Sequence, residues 1–95
     1  MAYTAIEYQM LKADLGFYGD PPEAVGEYMG RLLESARTAL ASSGVTIDPE
    51  DMRDEELVAM YAAWLYRKRD SGGEKPRMLR EALNDRKVLE KVASS

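Results

Sequence analysis

Residues 54–70, DEELVAMYAAWLYRKRD, decide the fold. They hold the only tryptophan, Trp64, and two of the six tyrosines, Tyr61 and Tyr66. Leu57, Met60, Tyr61, Trp64 and Leu65 recur at the spacing of one helical face. Asp54, Glu55 and Glu56 open the stretch, and Arg67, Lys68 and Arg69 come near its end. Acids in the first turn and bases in the last complement the helix dipole, so charge and apolar pattern agree. The stretch predicts a central helix with Leu57, Met60, Tyr61, Trp64 and Leu65 turned to the core. An interfacial place for Trp64 is the alternative.

Working outward, Ser71-Gly72-Gly73 predicts the end of this helix, and Glu74-Lys75-Pro76 continues the loop. A short fourth helix follows, with Met78, Leu79, Ala82 and Leu83 inward and Arg77 and Arg80 on the other side. Asn84-Asp85 is its expected end. Residues 87–95 are expected to form a flexible tail, with a further helical turn or two around Val88, Leu89 and Val92 as a fifth element.

Upstream, Thr4 and Glu7 have capping-box spacing, and Gly16 is placed as a left-handed stop, predicting a first helix from Ala5 to Leu15. Ile6, Met10 and Ala13 form its expected inner stripe, with Leu11 and Leu15 beside it. Asp20 reads as an N-cap with Pro21 at the first helical position, so a long second helix is expected from near Pro21. Val25, Tyr28, Met29, Leu32, Leu33, Ala36 and Leu40 follow at helical spacing, up to Ser42-Ser43-Gly44. Gly26 and Gly30 either admit a close neighbour or weaken this helix. Val45-Thr46-Ile47 is a short β-prone segment expected to tuck against the bundle. The 95 residues are one all-α domain, a small bundle of four or five helices, with Leu32, Leu57, Leu79 and Leu83 among its expected core.

Composition narrows the chemistry. There is no cysteine, so no disulfide or thiolate, which fits a reducing cytoplasm. There is no histidine, the commonest general base and imidazole ligand. Serine–histidine, cysteine–histidine and soft metal sites are excluded, and no cofactor is expected. Asp48, Glu50, Asp51, Asp54, Glu55 and Glu56 form an acidic cluster, but without EF-hand order, and they read as helix-terminal charge rather than a metal site. No apolar run approaches the roughly 20 residues of a membrane span. The opening MAYTAIEYQM has no basic lead or apolar signal core, so no export signal is expected.

The net charge of −4 hides a polarity. Residues 1–56 carry 12 acids and 4 bases; residues 57–95 carry 5 acids and 9 bases. Copies with an acidic front and a basic back can meet head to tail. Arg67, Lys68, Arg69, Lys75, Arg77 and Arg80 surround one loop. They suit phosphate contacts, acids of a neighbouring copy such as those between Glu50 and Glu56, or plain solvation.

The run EELVAMYAAWLYRKR, followed by PRMLREALNDR (Pro76–Arg86), resembles the head–tail connector, or adaptor, proteins of long-tailed bacteriophages and prophages. The opening helix ending LKADLG (Leu11–Gly16) and the long helix ending before SGVTID (Ser43–Asp48) agree in outline, so the resemblance covers about residues 5–86. It implies a non-enzymatic subunit of a homo-oligomeric ring, commonly of about a dozen copies in that family. Such a ring docks beneath the portal at the capsid vertex and extends the DNA channel towards a head-completion or tail protein. DNA passes without sequence-specific binding. The implied location is the virion, assembled in the bacterial host cytoplasm. Glu55, Glu56, Arg67, Lys68, Arg69, Arg77 and Arg80 are then the candidate subunit or partner contacts. The alternative is a small helical nucleic-acid-binding or regulatory module using the Arg67–Arg80 cluster.

Overall fold

The computed structural model describes residues 3–71 and 74–94, without the side chains of residues 69–71 and 93–94. Four helices follow in order: α1 (Ala5–Asp14), α2 (Glu23–Ser42), α3 (Met52–Ser71) and α4 (Arg77–Ser94). No strand occurs among the described residues.

The local signals at α1 form as their chemistry requires. The Glu7 amide donates to Thr4 Oγ1 and the Thr4 amide to Glu7 Oε1, both at 3.1 Å. Gly16 takes φ 85°. Its amide reaches the Ala13 carbonyl, and that of Phe17 reaches Lys12. This Schellman pattern repeats at the end of α2. There Gly44 at φ 89° donates to Ala41, and Val45 donates to Leu40. Val45 and Leu40 are both buried, so the turn that stops α2 also anchors the 45–47 segment.

α2 starts at Glu23, later than Pro21, and Asp20 does not cap it. Asp20 is exposed, and its carboxylate lies 3.8 Å from Lys12 Nζ. Before α3, the Asp48 side chain accepts from the Glu50 amide, and Asp51 accepts from the Arg53 amide, each at 2.9 Å. Asp51 is thus the N-cap of α3.

α3 is the centre, packing against α1, α2 and α4, whereas α4 packs against α3 alone among the helices. That position explains a difference from the expected core. A helix enclosed on three sides needs small residues inward. Leu57, Val58, Ala59, Ala62 and Ala63 are its buried apolar residues. Met60, Tyr61, Trp64 and Leu65 are half-buried and flank the core. Leu32, Leu79 and Leu83 are buried, together with Leu11, Met29, Leu33, Ala36 and Leu40. Fully burying one such leucine stabilises by about 1.5–3 kcal/mol.

Two further expectations are corrected. The inner face of α1 is Glu7 and Leu11, with Ile6 and Ala13 exposed, because Glu7 has an internal partner. Asn84-Asp85 does not end α4, which is a single helix to Ser94, and Met78 faces outward. The α2 glycines admit rings rather than a helix backbone. A Cβ at Gly30 would lie 2.8 Å from the Tyr3 hydroxyl, and one at Gly26 would lie 2.9 Å from that of Tyr8. The two rings stack with centroids 6.3 Å apart.

Candidate interaction surfaces

Two inward-facing ion pairs hold the elements in register. Arg37 on α2 donates through Nε and Nη2 to the two carboxylate oxygens of Glu7, which is fully buried. The bidentate bond raises the Arg37 pKa above its ordinary value. On the other side, Arg86 Nε donates to Asp54 Oδ1 at 2.7 Å, and Nη2 to the Thr46 carbonyl at 2.6 Å. Arg86 Nη1 reaches Glu90 at 2.9 Å, and the second Asp54 oxygen accepts from the Asp48 amide at 2.9 Å. One guanidinium therefore ties α4 to α3 and to the α2–α3 loop. Its bond to Asp54 raises its pKa. Glu90 is held below its ordinary range, first by hydrogen bonds from Thr46 and then by Arg86.

These pairs redistribute the acidic cluster. Asp54 belongs to Arg86. Glu55 is buried and accepts from the Thr4 hydroxyl at 3.0 Å, so it is an internal tie between α1 and α3 rather than the expected surface contact. Asp51 pairs with Arg53 at 3.2 Å. That bond lowers the Asp51 pKa. Among the described residues no three carboxylates converge on a cation-sized site. Asp48, Glu50 and Glu56 are left exposed, Asp48 and Glu50 at the tip before α3 and Glu56 beside a groove.

Arg67 and Lys68 stand near the opposite end of α3. From Met52 to Lys68 the helix rises about 24 Å at 1.5 Å per residue. Arg67 donates to the Asp14 carbonyl at 2.9 Å and lies 3.3 Å from its carboxylate, capping the end of α1. Lys68 Nζ stands 4.6 Å from the centre of the Trp64 ring. Lys75 Nζ lies 5.4 Å from Tyr61 and 5.3 Å from Trp64. The two rings meet edge to face at 5.4 Å, so they form one aromatic platform under two ammonium groups. Arg77 pairs with Glu81 at 2.9 Å. Arg80 is exposed and makes no ion pair among the described residues. The Arg69 side chain lies outside the described residues.

Of the expected contact set, Arg67 and Lys68 stand near the end of α3 and Arg77 and Arg80 in the first turn of α4, while Glu56 is beside the groove and Glu55 is internal. Arg37, Arg86 and Glu7 are absent from that set. Their signal is phase: Arg86 continues the Leu79–Leu83 stripe, and Glu7 stands one turn before Leu11, so each charge falls on an apolar line.

No helix of the described residues is long and apolar enough to cross a membrane. Comparison with protein-family models, curated proteins and solved structures finds no match to this chain.

Proposed function

We propose that the chain is a non-enzymatic structural subunit of a phage head–tail connector ring, docking beneath the portal and extending the DNA channel towards the tail. The observation that carries this is the end-to-end separation of exposed charge. Asp48 and Glu50 stand before α3 and Lys68 near its end, about 24 Å along it, with Arg77 and Arg80 in the first turn of α4. A subunit with unlike ends makes heterologous contacts, and these close into a ring when the rotation between copies permits. The sequence resemblance across residues 5–86 supplies the biological setting.

The second reading, a nucleic-acid-binding module, would use the same bases. It is less favoured, because Arg67 is held by the Asp14 carbonyl and carboxylate at the end of α1. A pI near 4.8 also opposes general attraction to phosphate.

The test is the mass of the chain in solution, by sedimentation, alone at high concentration and mixed with a candidate portal assembly. The expected result is a closed oligomer in at least one condition, lost in the Arg77→Glu, Arg80→Glu double variant with helix content unchanged. A chain that stays monomeric in both, and binds DNA with a steep salt dependence, would establish the second reading instead.

A further inference from the structure

Seven large apolar side chains are exposed among the described residues, and four are on α4: Met78 at 74%, Val88 at 60%, Leu89 at 49% and Val92 at 67%. Singly scattered apolar residues are ordinary; a concentration on one helix is not. At about 100° per residue, Met78, Ala82, Leu89, Val92 and Val88 share one sector, adjacent to the Leu79–Leu83 line that packs on α3. The apolar face of α4 is therefore wider than the strip its own fold covers.

This sector opens onto a groove of about 740 Å³ between α3 and α4. Leu57, Met60 and Ala82 line it, with Met78 and Leu89 along α4. Met78 and Leu89 are eleven residues apart, about 16 Å or three helical turns. The carboxylates of Asp51, Asp54, Glu56, Asp85 and Glu90 lie around it against only two bases, Arg53 and Arg86. Both bases are engaged internally, Arg53 by Asp51 and Arg86 by Asp54 and Glu90. Glu56 and Asp85 are exposed and make no ion pair among the described residues. The groove is an apolar slot with an uncompensated acidic rim.

We propose that this groove receives an amphipathic, positively charged α-helix of a partner protein. The slot fits apolar anchors at i, i+4, i+7 and i+11, with lysines or arginines beside them facing Glu56 and Asp85. A second copy of this chain is a poor occupant. Asp85 falls at the middle of the Met78–Val92 sector, so symmetric pairing of two α4 helices sets like charges against each other. The apolar faces of α1 and α2 are already committed to the core, and α4 itself forms the groove wall. Neither Arg77 nor Arg80 lines the groove, so this inference does not depend on ring assembly.

The probe is a synthetic helix-forming peptide of about 15 residues, with leucines at i, i+4, i+7 and i+11 and lysines flanking them. Its binding to the full-length chain is followed by fluorescence anisotropy and by backbone amide shifts. The expected result is saturable binding, weaker at higher salt, with shifts at Leu57, Met60, Met78, Ala82 and Leu89. The double variant Glu56→Lys, Asp85→Lys should lose about tenfold or more in affinity. Both positions are exposed, so its circular dichroism should match the parent. A peptide with serines for leucines should not bind, and Met78→Ser should weaken the parent peptide. Absence of saturable binding, binding indifferent to Glu56→Lys and Asp85→Lys, or shifts on another face would each overturn the proposal. So would self-association of the parent chain that Met78→Ser abolishes, which would give the groove to a second copy.

Discussion

Arg86 has more structural consequence than any side chain in the expected contact set. Its guanidinium joins Asp54, Glu90 and the Thr46 carbonyl, three points from different parts of the chain. Removing one partner of a buried pair strands the other in a poor solvent. Arg86→Met should therefore cost about 3–5 kcal/mol in urea unfolding. Adding Asp54→Leu should recover much of that loss, because the stranded carboxylate is then gone. A cost under about 1 kcal/mol, typical of a solvent-exposed pair, would show that water reaches the pair freely. Trp64 belongs to a different class. Being half-buried at the core margin, it should cost about 1–3 kcal/mol on Trp64→Ala, less than the 2–5 kcal/mol expected for Leu33→Ala. The residues legible in the sequence are those whose partners are close in the chain. Thr4 and Glu7 are three apart, and Gly16 and Gly44 act on their own turns. Glu7–Arg37 and Asp54–Arg86 span 30 and 32 positions, and no local spacing announces such a pair.

At the scale of elements, the order of helices follows from caps, glycines and apolar period, and the described residues form four helices in that order. What period alone misassigns is which residues face inward. The largest side chains of α3 mark its face in the sequence, yet a helix surrounded by three others places alanines innermost. The apolar sector of α4 is likewise read as core when part of it is surface. The length of α4 has a physical source as well. Asn84-Asp85 disfavours helix only weakly, whereas Arg86 anchors the turn immediately after it. Ending the chain after Asp85 should therefore cost about 3 kcal/mol or more. Ending it after Lys91 keeps the anchor and should cost under about 1 kcal/mol. Equal losses from the two truncations, measured by thermal unfolding, would place the stabilisation beyond Lys91 instead.

For the whole molecule, charge sets both the pH response and the proposed assembly. Asp51 and Glu90 are held below the ordinary carboxylate range. A carboxyl depressed by folding stabilises the fold above its unfolded pKa of about 4 and loses that contribution as pH falls through its folded value. Arg37 and Arg86 are raised, so their contribution is complete below about pH 12. With no histidine in the chain, the melting temperature should be level from about pH 6 to 8 and fall below about pH 4. A step near pH 6.5 would contradict this. The charge polarity is legible in the sequence, but its acidic end is narrower than the sequence implies, because Asp54 and Glu55 turn inward.

The central claim is that the acidic tip of one copy meets the basic end of the next. Because the chain has no cysteine, a Glu50→Cys, Arg80→Cys double variant reports that contact without background. Under mild oxidation, at the concentration or on the partner that drives assembly, a ladder of disulfide-linked species should appear and stop at one closed size. Each single variant should give dimers at most. Monomer throughout, or dimers alone from the double variant, would contradict the head-to-tail ring.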